Sequence, residues 1–396
     1  MSNRVLRSLA LVAFFLCGLL PAAAQDAPPP PPLPSPAAPQ EQVAPQEKAT
    51  PETLKQETPP PDALKQEQPA PDALKQEKAA PDAGKKEKTA PEGTPVLWKE
   101  PGDIAARDMV AGPGGEAMRP DLSSVTFIEE ETGGYSPKFR VRDGAGKIWV
   151  AKLGKEAQPE TVAVRLVWAV GYVSEVSYLA PCVQVKGAPT PRKEVERCDG
   201  GKGFANVRFE ARPDSVKRLD NWRWDDNPFA GTKEFQGLVI LMALINNWDL
   251  KDSNNKVIYV PGEGGAPAEL RYVISDLGAT FGKTGNFITH NRNEPKDYVK
   301  SKFVERVEGD RVRFGYDGKN SGLFEHVKVE EAAWIGGLLS KLTDRQIEDA
   351  FRAANYGDTD VARLAAEVRE RINELVGLAG PAPTSAEAKE NSPAEK

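Results

Sequence analysis

Residues 238–260 read LVILMALINNWDLKDSNNKVIYV, and residues 270–278 read LRYVISDLG. The run 238–245 is apolar throughout, as expected of a helix buried on all sides. It ends in a polar loop that carries Asp249, Lys251 and Asn254. Two short runs rich in β-branched residues follow across a Gly- and Pro-rich gap, and the second delivers Asp276-Leu277-Gly278. The stretch therefore predicts a helix, a loop with one carboxylate and one amide, and a hairpin that returns a second carboxylate.

That pattern suits phosphoryl transfer. The reaction needs a carboxylate beside the attacking hydroxyl, and an amide oxygen with a second carboxylate to hold magnesium, because hard cations prefer oxygen ligands. Asp-x4-Asn alone recurs by chance; its weight here comes from the Asp-Leu-Gly placed beyond a hairpin.

Outside this stretch the chain is uneven. It has 396 residues and a formal net charge of −6, which argues against non-specific nucleic-acid binding. Residues 1–24 have the pattern of a secretory signal: Arg4 and Arg7, an apolar run over 9–20, then Ala22-Ala23-Ala24. That run is short for a bilayer span, and no second apolar run of spanning length follows, so no stable transmembrane anchor is expected and the mature chain is read as periplasmic or secreted. Cys17 offers a lipid-attachment alternative, but bulky Leu16 precedes it. Export leaves Cys182 and Cys198, expected to pair in an oxidising compartment.

Residues 25–95 contain a ten-residue repeat, PETLKQETPP, PDALKQEQPA, PDALKQEKAA and PDAGKKEKTA from position 51 on. Each unit has at most one large apolar side chain, so stacking would not build a core. Recurrent proline interrupts any continuous helix. The segment reads as a disordered tether, and 381–396 as a disordered tail. A folded unit is expected over 96–380, with a β-rich first lobe over 96–212 and a helical second lobe over 213–380.

In the first lobe, SVTFIEE at 124–130, KFRVR at 138–142 and KIWVAK at 147–152 alternate in polarity about an Asp143-Gly144 turn, which predicts a hairpin. Gly133-Gly134, with Ser136 beside them, could bring backbone N–H groups to a phosphate. Lys152 ends a strand. A helix is expected from Pro159 to Gly171, with Glu160 in its first turn as a partner for Lys152 and Glu156 as the rival. A hinge is expected between 206 and 220. Trp222 and Trp224 read as a substrate-facing loop or as packing residues. The stretch 279–327 reads as irregular, and its two histidines, His290 and His326, as incidental because neither has metal-ligand spacing. Three helices close the chain, the second with a Thr343/Gln346 capping box.

The string Gly133-Gly134-Tyr135-Ser136-Pro137-Lys138, Lys152, Glu160, the loop 247–254 and Asp276-Leu277-Gly278 together resemble the atypical kinases: HipA-like kinases, phosphatidylinositol 3/4-kinase-like proteins and the secretory and spore-coat kinases. The resemblance covers about 150 residues well, and it departs where Asn247 and Trp248 replace a His-Arg pair. It implies an α+β, two-lobed protein-kinase-like fold using ATP and Mg2+ or Mn2+. Asp249 would orient the acceptor hydroxyl and Lys251 would neutralise the γ-phosphate. Asn254 and Asp276 would hold metal. Lys152, paired with Glu160, would hold nucleotide phosphates together with Gly133, Gly134 and Ser136. The acceptor could be a protein, lipid or small-molecule hydroxyl, and the oligomeric state is open. Two other readings compete. GATFGKT at 278–284 approaches a phosphate-binding loop but has three residues between its glycines where four are needed. A catalytically silent binding module of the cell envelope would use the same fold.

Overall fold

The computed structural model describes residues 91–285 and 289–379. The leader 1–24, the tether up to residue 90 and the tail 381–396 lie outside the described residues. Among the described residues no helix is long and apolar enough to cross a membrane.

The described chain is mixed α+β. Its elements begin with β1 (Thr94–Val96), β2 (Val125–Glu131), β3 (Lys138–Arg142), β4 (Ile148–Lys152) and helix α1 (Ala157–Ala169). Strands β5 (Ser177–Val183), β6 (Val185–Lys186), β7 (Arg197–Cys198), β8 (Gly203–Ala211) and β9 (Lys217–Arg218) lead to α2 (Lys233–Leu244). The hairpin of β10 (Asn255–Val260) and β11 (Glu269–Ile274) precedes α3 (Pro295–Lys300) and a second hairpin, β12 (Val304–Glu308) and β13 (Arg311–Phe314). The last helices are α4 (Val329–Leu339), α5 (Asp344–Ala353) and α6 (Asp358–Gly377).

Alternation along the strands sets the first sheet. Its order is β5-β8-β4-β3-β2-β6, with β7 on β8. Phe139, Val141, Trp149, Ala151, Val207 and Phe209 form one buried core. Their alternates, Lys138, Arg140, Lys152, Arg208 and Glu210, fall on the opposite face, since successive side chains point to opposite sides. The Asp143 turn joins β3 to β4 as the sequence predicts, with Val141 opposite Trp149. Cys182 and Cys198 form the expected disulfide, 16 residues apart in sequence.

A second sheet of four strands runs β1-β11-β10-β9. The chain leaves the first sheet at Ala211 and enters the second at Lys217, inside the interval where the hinge is expected. β1 lies near the start of the expected first lobe, yet it pairs in parallel with β11, Val96 opposite Arg271. Helix α1 also contributes to the larger core. Its Val162, Leu166 and Val167 belong to the same apolar cluster as α2, α4, α5 and α6.

Several local expectations need correction. Helix α1 starts at Ala157, two residues before Pro159, because the first-turn amides need no intrahelical partner and proline is tolerated there. The stretch 279–327 is not irregular throughout; it holds α3, which opens on Pro295, and the β12–β13 hairpin. Of the two readings of Trp222 and Trp224, packing holds: both are buried, 4.9 Å apart, and the Trp222 indole donates to the Val273 carbonyl. The Thr343/Gln346 capping box is present at α5.

Arg371 on α6 ties the helical part to the end of α2. It is fully buried and donates to the carbonyl of Leu244 at 2.9 Å, to Asn246 Oδ1 at 2.9 Å and to the Tyr298 carbonyl at 2.9 Å. Glu367 accepts from its Nε at 2.8 Å. Replacing it with methionine leaves those acceptors and one carboxylate unpaired. Arg371→Met is expected to cost roughly 3–5 kcal/mol of unfolding free energy in urea titration.

Candidate active site

The apolar helix α2 stops at Leu244, and Asn246 turns the chain through a left-handed conformation with φ 53°. The Asn246 side-chain amide donates to the Gly282 carbonyl at 2.8 Å. The loop then brings Asp249, Lys251 and Asn254 together. The Asn254 amide donates to the Asp249 carbonyl at 2.7 Å and to its carboxylate at 3.3 Å, leaving the amide oxygen directed elsewhere. Lys251 Nζ lies 2.9 Å from one Asp249 oxygen.

The other Asp249 oxygen is held by Lys319 at 3.0 Å, a residue the sequence does not point to. Its backbone N–H donates to the Trp248 carbonyl at 2.9 Å. Gly318 allows this docking, because a Cβ there would lie 2.7 Å from the Trp248 backbone. Burial disfavours the ionised Asp249, but hydrogen bonds from Lys251 and Lys319 outweigh it and hold its pKa below the ordinary carboxylate value.

Lys152 is buried at the end of β4. Its ammonium lies 2.7 Å from Glu160, 3.0 Å from Asp276 and 3.3 Å from Glu156, so both candidate glutamates touch it. Burial alone would favour the neutral amine. Asp276, Glu160 and Glu156 overcome that and raise its pKa above the ordinary lysine value. Burial likewise opposes the ionised Asp276, whose pKa is nonetheless held below normal, chiefly by Lys152. Glu160 is fully buried and its pKa is pushed up by that burial, with Arg208 and Lys152 pulling it down. Arg208 on β8 sits 3.3 Å from Glu160.

Gly134, Tyr135, Glu156, Trp248, Asp249, Asn254, Asp276, His290 and Arg292 line one cavity of about 490 Å³. Three residues sit differently from expectation. The Ser136 side chain is buried, its hydroxyl donating to Glu156 at 2.6 Å. His290 is not incidental: its ring stacks on Trp248 at 3.7 Å and lines the cavity. Arg292 pairs with Glu156 and lies over both Tyr135, at 4.3 Å, and Trp248, at 4.9 Å. Gly133 is not among the lining residues.

The donors present fit a hard divalent cation. Asp276 is ionised and a third exposed, and the Asn254 amide is turned so that its nitrogen is already used. Among the described residues no group of three or more His, Cys, Asp and Glu side chains is gathered to hold a metal alone. One carboxylate and one amide suit magnesium or manganese arriving with phosphate oxygens and water, which complete the coordination.

No protein-family model and no curated protein sequence matches the chain. Among solved structures, the chain is similar to a Helicobacter pylori proinflammatory kinase, CtkA, at 11% identity and a TM-score of 0.40, over 65% of this chain and 96% of that one. It is also similar to the Golgi casein kinase, at 12% identity and a TM-score of 0.32, over 66% and 74% of the two chains. A hydra Fam20 structure with sugar matches at 12% identity and a TM-score of 0.27, over 66% and 88%. Likenesses this distant assign no activity to the chain.

Lys152 and Asp276 depend on one another, which gives a pH signature. The raised Lys152 pKa adds stability that is complete below about pH 10.4 and is lost as pH rises through its folded value. The lowered Asp276 pKa adds stability present above about pH 4 and lost as pH falls through its folded value. Lys152→Met is expected to cost roughly 3–5 kcal/mol near neutral pH, because it strands buried carboxylates. Urea unfolding from pH 2 to 11 should show the difference from wild type narrowing at both extremes.

Proposed function

We propose that the chain is an exported phosphotransferase of the atypical-kinase kind, two-lobed, which moves the γ-phosphoryl group of ATP to a hydroxyl acceptor. The observation that carries this reading is Lys152. One buried ammonium from β4 is bound to Glu160 on α1 and to Asp276 after β11, and Asp276 lines one cavity with Asp249 and Asn254. A partly exposed carboxylate held by a buried cation, lining a cavity with a second carboxylate and an amide, marks a candidate functional site, because perturbed groups cluster at such sites.

In this reading Lys152 holds nucleotide phosphates, and Glu160, backed by Arg208, fixes its ammonium. Asp276 and Asn254 hold Mg2+ or Mn2+, which supplies charge neutralisation at the phosphates when bound. Asp249 orients the acceptor hydroxyl. Its lowered pKa makes it a weak base, so its contribution is alignment and a late proton acceptance, in keeping with the loose transition state of phosphoryl transfer. Lys251 and Lys319 are placed to follow negative charge onto the transferring group. The backbone of Gly134 and Tyr135 closes the phosphate end. The acceptor class, whether protein, lipid or sugar hydroxyl, is set by groups outside this machinery.

The test is thermal melting with and without ATP and Mg2+ or Mn2+, for wild type and Asp276→Ala. A ligand at 100 times its dissociation constant adds roughly 2.7 kcal/mol. A metal-dependent upward shift, absent in Asp276→Ala, is expected. A well-folded wild type that shifts with no nucleotide would favour the silent binding module instead.

Once an acceptor is found, Asp249→Asn should lower the rate by roughly 10²–10⁴-fold. Lys319→Met should raise the Asp249 pKa. Because Asp249 acts ionised, activity on the acid side would then fail at higher pH than in wild type. The pH dependence of kcat/KM measures this, and an unmoved acid limb would remove Lys319 from the site.

A further inference from the structure

The glycine turn at 133–136 is gripped from outside the cavity. The Cys182–Cys198 disulfide closes a loop between β5 and β7. Its sulfurs pack over Gly203, where a Cβ would lie 2.7 Å from one and 3.0 Å from the other. Within the loop, Arg192 Nη2 donates to the Gly134 carbonyl at 2.7 Å and to the Ser136 carbonyl at 3.0 Å. The next residue, Lys193, places its ammonium 3.5 Å from the Tyr135 ring centre.

Peptide geometry gives these bonds a direction. In a trans peptide the N–H points opposite to the C=O of the same unit. With the Gly134 carbonyl turned onto Arg192, the Tyr135 N–H points away from that arginine. Gly134 and Tyr135 both line the cavity that contains Asp249 and Asp276. The Ser136 carbonyl belongs to a peptide unit with Pro137, which has no N–H to offer, so its bond to Arg192 serves only to fix the turn.

We propose that Arg192 is the positioning residue of this turn, holding the Tyr135 N–H toward a nucleotide phosphate, with the disulfide-closed loop as its frame. The role deepens the phosphotransferase reading and rests on it. Arg192 also lies 4.0 Å from Glu130 on β2, which holds the same turn from the strand before it; neither contact reaches the base, so the role separates phosphate recognition from base recognition.

The experiment uses the oxidised full chain and the variants Arg192→Ala and Arg192→Lys. Calorimetric titration compares ATP with Mg2+ against adenosine, which has no phosphate. Amide exchange of the segment 130–138 is measured without nucleotide, and melting checks each fold. Losing two bonds from a charged donor should weaken ATP about tenfold in Arg192→Ala. Adenosine affinity should stay within twofold, exchange over 130–138 should quicken, and Arg192→Lys should recover part of the loss. Unchanged ATP affinity with unchanged exchange overturns the proposal, as does an equal loss for ATP and adenosine. A wild type that binds neither ligand sinks the phosphotransferase reading. Faster exchange in Arg192→Ala would then still support the grip on the turn, and unchanged exchange would remove both.

Discussion

A single ammonium taken out of water is the constraint around which the site is built. Moving a lysine charge into a protein costs several kcal/mol even after relaxation, so Lys152 must be matched by fixed carboxylates. Glu160, Asp276 and Glu156 supply them from α1, from the turn after β11 and from the residue just before α1. None of these can arrive unless the first sheet, α1 and the β10–β11 hairpin are all in place. The pairing is therefore better evidence of a specified arrangement than of stability, since buried ion pairs often only break even.

The charge pattern extends beyond the lysine. Glu160 meets Arg208, Arg208 meets Glu210 at 2.8 Å, and Arg218 on β9 reaches Glu175 at 2.5 Å. Ser275, next to Asp276, accepts from Arg218 and donates to Glu175. Charges of alternating sign thus run from the first sheet to the second, and the chain between them, 212–216, is short. A shift of either sheet would leave buried charges unmatched. Such a network fixes register at the place where the site needs it.

Much of this was legible in the sequence. Period-two alternation located β2, β3 and β4, Asp143-Gly144 located their turn, and the order Lys152, Glu160, Asp249, Asn254, Asp276 was readable because each lies on or beside a recognisable local signal. The even pair Cys182 and Cys198 announced its disulfide. What stayed hidden depends on distant backbone. Lys319 reaches Asp249 only because Gly318 lets two loops touch, and that glycine looks like any turn glycine in a linear reading. Arg292 and His290 enter by stacking on Trp248, and no spacing rule connects residues so far apart. The tryptophan pair at 222 and 224 left two readings open, because amphipathic rings serve in cores and at surfaces, and the packing reading is the one the structure bears out.

Two glutamates flank Lys152, and the structure gives them different duties. Glu160 is buried on α1 with Arg208 behind it, so it cannot leave without stranding an arginine. Glu156 is buried too, and is shared among Lys152, Ser136 and Arg292, which joins the glycine turn to the segment after Asp276-Leu277-Gly278. Gly278 belongs to the same arrangement: a Cβ there would sit 2.6 Å from Glu156, so this position of the Asp-Leu-Gly string leaves no room for a side chain. Asp276 is the most exposed of the three carboxylates around the ammonium, with about a third of its side chain open. Glu160 and Glu156 are thus held as buried counter-charges of the ammonium, and Asp276 alone of the three keeps an appreciable part of its side chain open.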